Sequence, residues 1–191
     1  MFKFFAFLNR MKYIKRWSLM RSTVNENIME HSQQVASIAH ALAVIGNKRF
    51  GKQYDAAQIA LIAQFHEAGE VITGDLPTPI KYFNAEIKTA YKELEGIALD
   101  RLLRMLPEDF KEEYDPLLKP DLDSEEYRLV KAADKISAYL KCIEELTAGN
   151  SEFKKAKETI SKELAASPFR EVAFFMENFA PAFELTLDEL D

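Results

Sequence analysis

The sequence predicts an all-α protein folded as a single compact helical bundle. Helix-capping residues recur ahead of apolar runs of helical period, strand-like alternation is nearly absent, and no Gly/Ser-rich linker or repeat divides the chain. A length of 191 residues suits one domain, 1–191, and a 48% hydrophobic composition supplies a sizeable core.

Residues 2–11 read as an amphipathic helix with Phe4, Phe5, Phe7, Leu8 and Met11 on its apolar face. The pattern breaks at Arg16-Trp17, where a cation sits beside the only tryptophan. That pair reads either as a solvated charge next to a core or interface anchor, or as a phosphate clamp beside a sugar wall. Thr23 or Asn25 is placed to cap a second helix running to Gly46, with Ile28, Val35, Ile38, Ala39, Leu42 and Ile45 inward. His31 falls on the inner face near its start, whereas His40 points the opposite way.

Asp55 caps the next helix, and Gln58 completes a capping-box pattern. Ile59, Ile62, Ala63 and Val71 continue the helical period, and Gly74 closes it. At about 100° per residue, His66 and Glu70 share one face a turn apart, with Glu67 beside them. Leu61, Ile62, Phe65 and Val71 put these polar groups next to the core, where they need compensation. A hydrogen-bonded structural pair and a metal ion both supply it. The metalloprotease pattern His-Glu-x-x-His is excluded, because Glu70 stands where the second histidine belongs. Residues 73–79 carry two prolines that stiffen the backbone, which suits a plain connection or a loop presenting Asp75 and Thr78 to a ligand.

Asn84 caps a long helix to about Leu106, ended by Pro107, and residues 107–123 read as a charged loop with about one helical turn. Ser124 caps a helix that ends at Gly149-Asn150. Within it Asp134 lies among Leu129, Val130, Ala133, Ile136, Ala138, Leu140 and Ile143. An aspartate in that company needs a partner, which a metal, Lys131, Lys135 or a neighbouring helix cap can provide. The tail reads as a Ser151-capped helix, a break at Pro168 and an aromatic helix over 169–179. Phe174, Phe175, Phe179 and Phe183 are expected in the core or at a subunit interface.

The net charge of −6 argues against a nucleic-acid polymer as partner. One cysteine, Cys142, excludes a disulfide framework and reads as a small buried helix residue in a reducing compartment. No apolar run reaches the ~18 residues of a membrane span, and the first residues lack a secretory signal pattern. The expectation is a cytoplasmic protein without a membrane partner.

Taken in order, the candidates are His31, the adjacent His66-Glu67, and Asp134, each near the inner face of a different helix. This order resembles the HD-domain phosphohydrolases, whose metal ligands run His, His-Asp, Asp. Arg16-Trp17, Glu30-His31-Ser32, Gly74-Asp75-Leu76-Pro77-Thr78-Pro79-Ile80-Lys81-Tyr82-Phe83, Lys131-Ala132-Ala133-Asp134 and Tyr139-Leu140-Lys141-Cys142-Ile143-Glu144-Glu145-Leu146 narrow the resemblance to the YfbR-like bacterial 5'-deoxynucleotidases, over nearly the whole chain. One position departs from that pattern: Glu67 replaces the family's defining aspartate. Glutamate keeps the charge and the oxygen donors, but its extra methylene displaces the carboxylate by roughly 1 Å, a shift that at a reacting centre can cost about 100-fold in rate.

The resemblance implies an HD-type helical bundle that removes the 5'-phosphate from 2'-deoxyribonucleoside 5'-monophosphates. It also implies one divalent ion (cobalt, manganese or copper) on His31, His66, Glu67 and Asp134, with Glu70 as general acid or base and Arg16 orienting the phosphate. The substrate would contact Arg16, Trp17, His31, Glu67, Asp75, Leu76, Pro77, Thr78 and Asp134. Trp17 would pack against C2', with Asp75 or Thr78 on the remaining sugar hydroxyl. A homodimer is implied as well. The rival expectations are an HD hydrolase of another nucleotide and a nucleotide-binding protein whose chemistry Glu67 has weakened.

Overall fold

The computed structural model describes residues 1–81 and 83–191, so Tyr82 of the 74–83 block lies outside the described residues. Helix α1, Phe4–Leu8, passes into a 3₁₀ turn, Asn9–Tyr13. The expected wide apolar face is narrower than that. Phe4 and Met11 are buried while Phe5 is exposed, because a five-residue helix makes little more than one turn.

Helix α2, Ile28–Arg49, starts at Asn27, whose side chain accepts from the amides of Met29 and Glu30, both at 3.0 Å. Neither Thr23 nor Asn25 is the cap; Thr23 Oγ1 donates to Glu145 instead. The helix also continues past Gly46, where a Cβ would come within 2.7 Å of the Tyr54 ring. All six residues expected inward on α2 are buried, and His40 is exposed.

Helix α3, Ala56–Phe65, is capped by Asp55, which accepts from Gln58 N at 2.9 Å. It does not run unbroken to Gly74. After Phe65 the backbone tightens to three-residue spacing, with Ala68 N to Phe65 O at 2.9 Å and Glu70 N to Glu67 O at 3.0 Å, before the short α4, Glu70–Thr73. Gly74 ends that turn at φ 74°, a left-handed conformation that suits glycine. Leu61, expected against the core, is 46% exposed.

A single turn, α5 (Thr78–Lys81), precedes α6, Ala85–Leu103, which Asn84 caps through Ile87 N. The 107–123 stretch is more helical than expected: a 3₁₀ turn, Glu108–Phe110, leads into α7, Lys111–Leu118. Pro116 sits inside α7 despite its missing N–H, and the burial of Leu117 and Leu118 offsets that loss. Ser124 caps α8, Glu125–Thr147. Asn150, rather than Ser151, caps the following 3₁₀ turn, Ser151–Phe153, which feeds α9, Lys154–Ala165. The aromatic helix is α10, Arg170–Asn178. Phe175 is buried there, while Phe179 and Phe183 beyond it are exposed.

Helix α2 is the central element, packed on α3, α8 and α10, with α8 also meeting α3 and α9. A smaller core of Phe4, Ala68, Leu102, Leu103, Leu106 and Leu118 lies beneath α4 and α6, joined to the main one through Phe65 and Tyr114. Among the described residues no helix is long and apolar enough to cross a membrane. The first turn of α2, the end of α3 and the middle of α8 therefore converge.

Candidate metal centre

His31 from α2, His66 and Glu67 from the turn after α3, and Asp134 from α8 each offer one ligand atom, all within 4.8 Å of one another. His31 Nε2 lies 3.1 Å from Asp134 Oδ1 and 3.7 Å from Glu67 Oε1, and His66 Nε2 is also 3.7 Å from Glu67 Oε1. The donor set is two imidazoles and two carboxylates, a mixture that suits a borderline divalent ion.

Two atoms make the fit specific. His66 Nδ1 is 2.6 Å from the Ala63 carbonyl, which can only accept, so Nδ1 carries the hydrogen and Nε2 presents a lone pair. That Nε2 is buried without a hydrogen-bond partner, and so is Glu67 Oε2. Unpaired buried acceptors are costly, and a cation held in the cluster would offset that cost. Burial drives the His66 pKa down to about 4, which keeps the ring neutral and able to ligate.

The surrounding groups hold this set in place. Lys131 takes the Asp134 Oδ2 atom, leaving Oδ1 toward the cluster. Burial pushes the Asp134 pKa up, but Lys131 and the two histidines outweigh it and hold the carboxyl well below its usual range. His31 Nδ1 is 3.0 Å from Ser137 Oγ, and Ser137 donates to Gln34 Oε1 at 2.6 Å. Arg16 reaches the same Nδ1 and forms a 2.9 Å ion pair with Glu26. Burial opposes the Arg16 charge, but Glu67, Glu26, Asp134 and Asp75 hold its pKa up.

Glu70 is 7% exposed, and its Oε2 has no hydrogen-bond partner. Burial, with the charges of Glu67 and Asp75, raises its pKa to about 9. Asp75 is half-buried and within electrostatic reach of Arg16 and Glu67. Trp17 sits one residue from Arg16 and donates its Nε1–H to Glu26. Among the described residues no hydrogen bond or ion pair joins Leu76, Pro77 or the exposed Thr78 to the cluster.

Sequence reasoning passed over Glu26, Ser137 and Gln34. Ser137 follows Asp134, and Gln34 follows His31, by three residues, so helical spacing was a usable signal for both. Glu26 carries no such signal.

A family model described as 5'-deoxynucleotidase YfbR-like matches residues 3–183. The 5'-deoxynucleotidase of Vibrio cholerae is 55% identical over 188 residues, spanning 98% of this chain and 97% of its own. That of Shigella dysenteriae is 52% identical, spanning 98% and 94%. Among solved structures, an HD-domain phosphohydrolase from Listeria innocua superposes with a TM-score of 0.82 at 22% identity, over 95% of this chain and 88% of that one. The cyanophage S-2L HD phosphohydrolase DatZ, solved with dA and one catalytic Zn²⁺ ion, gives 0.64 at 21% identity over 92% and 95%. With the HD-domain fold and a match along nearly its whole length, the chain belongs to the YfbR-like 5'-deoxynucleotidase family.

Proposed function

We propose that this chain hydrolyses 2'-deoxyribonucleoside 5'-monophosphates to nucleoside and phosphate, with one divalent ion held by His31, His66, Glu67 and Asp134. The observation that carries the reading is the convergence of His31, His66, Glu67 and Asp134, with one ligand atom of each within 4.8 Å of the others and with His66 Nε2 and Glu67 Oε2 buried and unpartnered, beside the part-buried Arg16. The relatives named above as 5'-deoxynucleotidases support the substrate class, and DatZ supports a deoxynucleoside ligand with a single metal ion.

The chemistry such an ion supplies is charge neutralisation at the phosphate and a lowered pKa for water. Arg16 binds the phosphate oxygens and offsets the charge that develops as the water oxygen bonds to phosphorus and the P–O5' bond breaks. Glu70 Oε2 accepts the proton from the attacking water and returns it to the departing O5'. Because burial and neighbouring carboxylates keep Glu70 protonated, it needs positive charge nearby to serve as a base. If His31 Nε2 held the ion, Nδ1 would carry the hydrogen and donate to Ser137. Arg16, which can only donate, is then free for the phosphate.

Trp17, Asp75, Leu76, Pro77 and Thr78 form the sugar side in this reading, with Trp17 crowding a ribose 2'-OH. An apolar wall rejects an added hydroxyl only moderately, so the preference rests on a steric clash. The active form is a cytoplasmic homodimer. Exposed Phe183, Leu187 and Leu190 along the tail support pairing, and light scattering in solution tests it.

The test is phosphate release from dAMP and AMP by metal-stripped protein, with cobalt, manganese, copper, magnesium or zinc added back, alongside Glu67→Asp. Metal-dependent turnover that favours dAMP is the expected result. No release by wild type with any metal, restored by Glu67→Asp, assigns the chain to binding without hydrolysis. Inactivity of both overturns the substrate assignment.

A further inference from the structure

Ahead of α2 the chain doubles back on itself. Ile28 N bonds Ile14 O and Arg16 N bonds Glu26 O, both at 3.0 Å, around an isolated antiparallel bridge between Lys15 and Asn27. This short ladder sets Arg16 and Trp17 across from Glu26, ten and nine residues further along.

The Glu26 side chain is 13% exposed, and a single oxygen of it, Oε2, accepts from both neighbours: Arg16 Nη1 at 2.9 Å and Trp17 Nε1 at 3.0 Å. Trp17 is also the one non-glycine with positive φ among the described residues, at 58°. A bulky residue stays in that region only where its surroundings over-determine it. Those surroundings are the Glu26 bond, the Phe153 ring at 5.2 Å and the turn closed by Met20 N on Trp17 O at 2.8 Å.

We propose that Glu26 is the positioning residue that holds both the phosphate arm, Arg16, and the sugar wall, Trp17, so that removing its side chain weakens phosphate binding and deoxyribose selectivity together. The inference rests on the proposed function and goes beyond it. The two specificity elements are joined through a single carboxylate oxygen. A carboxylate holds a guanidinium more strongly than a neutral acceptor would, whereas the indole N–H needs only an oxygen.

Glu26→Ala and Glu26→Gln separate these two functions. Loss of a hydrogen bond to a charged group corresponds to about 10- to 100-fold, so Glu26→Ala raises the KM for dAMP by that order and lowers the dAMP-over-AMP preference to that of Trp17→Ala. Glu26→Gln raises the KM but keeps the preference, since its amide oxygen still accepts from Trp17. Adding Glu26→Ala to Trp17→Ala lowers the preference no further. A purely structural role would reduce kcat with both substrates and leave their ratio alone.

The only tryptophan gives a readout that does not depend on turnover. Its emission shifts to the red and acrylamide quenching rises in Glu26→Ala, and neither changes in Glu26→Gln. If wild type fails to hydrolyse dAMP, the functional reading fails, while the emission of Glu26→Ala still decides whether Glu26 holds Trp17. An unchanged preference with unchanged emission in Glu26→Ala overturns the proposal. Should Glu26→Ala not fold, a wild-type KM in Glu26→Gln overturns it.

Discussion

Replacing Glu70 with glutamine should stabilise the metal-free protein while abolishing its activity. The folded-state pKa of Glu70 is about 9, against an ordinary value of 4.5, because burial and the charges of Glu67 and Asp75 disfavour its anion. A raised folded pKa contributes stability that is fully present below about pH 4.5 and is lost as pH rises toward about 9, since the unfolded chain releases the proton first. At pH 7 the gap from 4.5 is about 2.5 units, which at ~1.36 kcal/mol per unit costs the wild type at most about 3 kcal/mol. Glutamine has the shape of the protonated acid and no proton to lose. Its advantage should therefore be near zero at pH 4.5 and grow by about 1.4 kcal/mol per pH unit toward neutrality. For a chain of this size that is roughly 7–14 °C in Tm at pH 7. Thermal melts of both metal-free proteins at pH 5, 6, 7 and 8 measure it, and other titrating groups cancel in the difference. A difference that does not change with pH would mean that Glu70 is already ionised in the folded state, and the burial argument would fall. With metal restored, Glu70→Gln should lose at least ~100-fold in kcat while keeping its metal; loss of the metal would make Glu70 a ligand.

Ser137→Ala removes the acceptor for His31 Nδ1 and should weaken metal binding by about 10- to 100-fold, measured by competition with a chelator; unchanged affinity would reduce Ser137 to a satisfied core hydroxyl. Trp17→Ala should narrow the dAMP-over-AMP preference, read as the ratio of kcat/KM values, and an unchanged ratio takes Trp17 out of sugar selection. Glu145, fully buried, accepts from Thr23 N, Thr23 Oγ1, Val24 N and Asn150 Nδ2 and pairs with Lys141. Glu145→Ala should therefore cost about 3–5 kcal/mol in urea unfolding, and a loss below about 1 kcal/mol would show that water replaces it.

What the sequence disclosed follows from which interactions are local. Asp55, Asn84 and Ser124 cap the helices expected of them because a cap acts within three residues of itself. The start of α2 was misplaced because Thr23, Asn25 and Asn27 are all competent caps, and only Glu145, 122 residues away, engages Thr23 elsewhere. His31, His66, Glu67 and Asp134 were legible because helical phase set polar residues against apolar faces. The break after Phe65 was not, since its tightened turns keep an apolar pattern that a continuous helix would also show. Glu26 lies in a polar stretch with no period, and its partners meet it only through a ladder that the chain forms by doubling back.

The charge balance of the site ties these features into one equilibrium. Glu26, Glu67, Glu70, Asp75 and Asp134 converge on a region whose cations are Arg16, Lys131 and, already paired with Glu95, Lys81. Without further positive charge the cheapest relief is a proton, and Glu70, which among the described residues has no cation bonded to it and has an unpartnered oxygen, takes it. A phosphate monoester brings about two more negative charges, which this arrangement repels. A divalent ion changes both terms at once: it favours the Glu70 anion that a base must be, and it makes the region receptive to phosphate. Ion binding, release of the Glu70 proton and substrate binding are thus linked. Metal affinity should rise with pH up to about 9, and Glu70→Gln, which has no proton to give up, should flatten that rise. Calorimetric titration of metal in buffers of different ionisation enthalpy reads the proton released per ion. A release that is the same in wild type and Glu70→Gln would separate Glu70 from the metal and leave its raised pKa a property of burial alone.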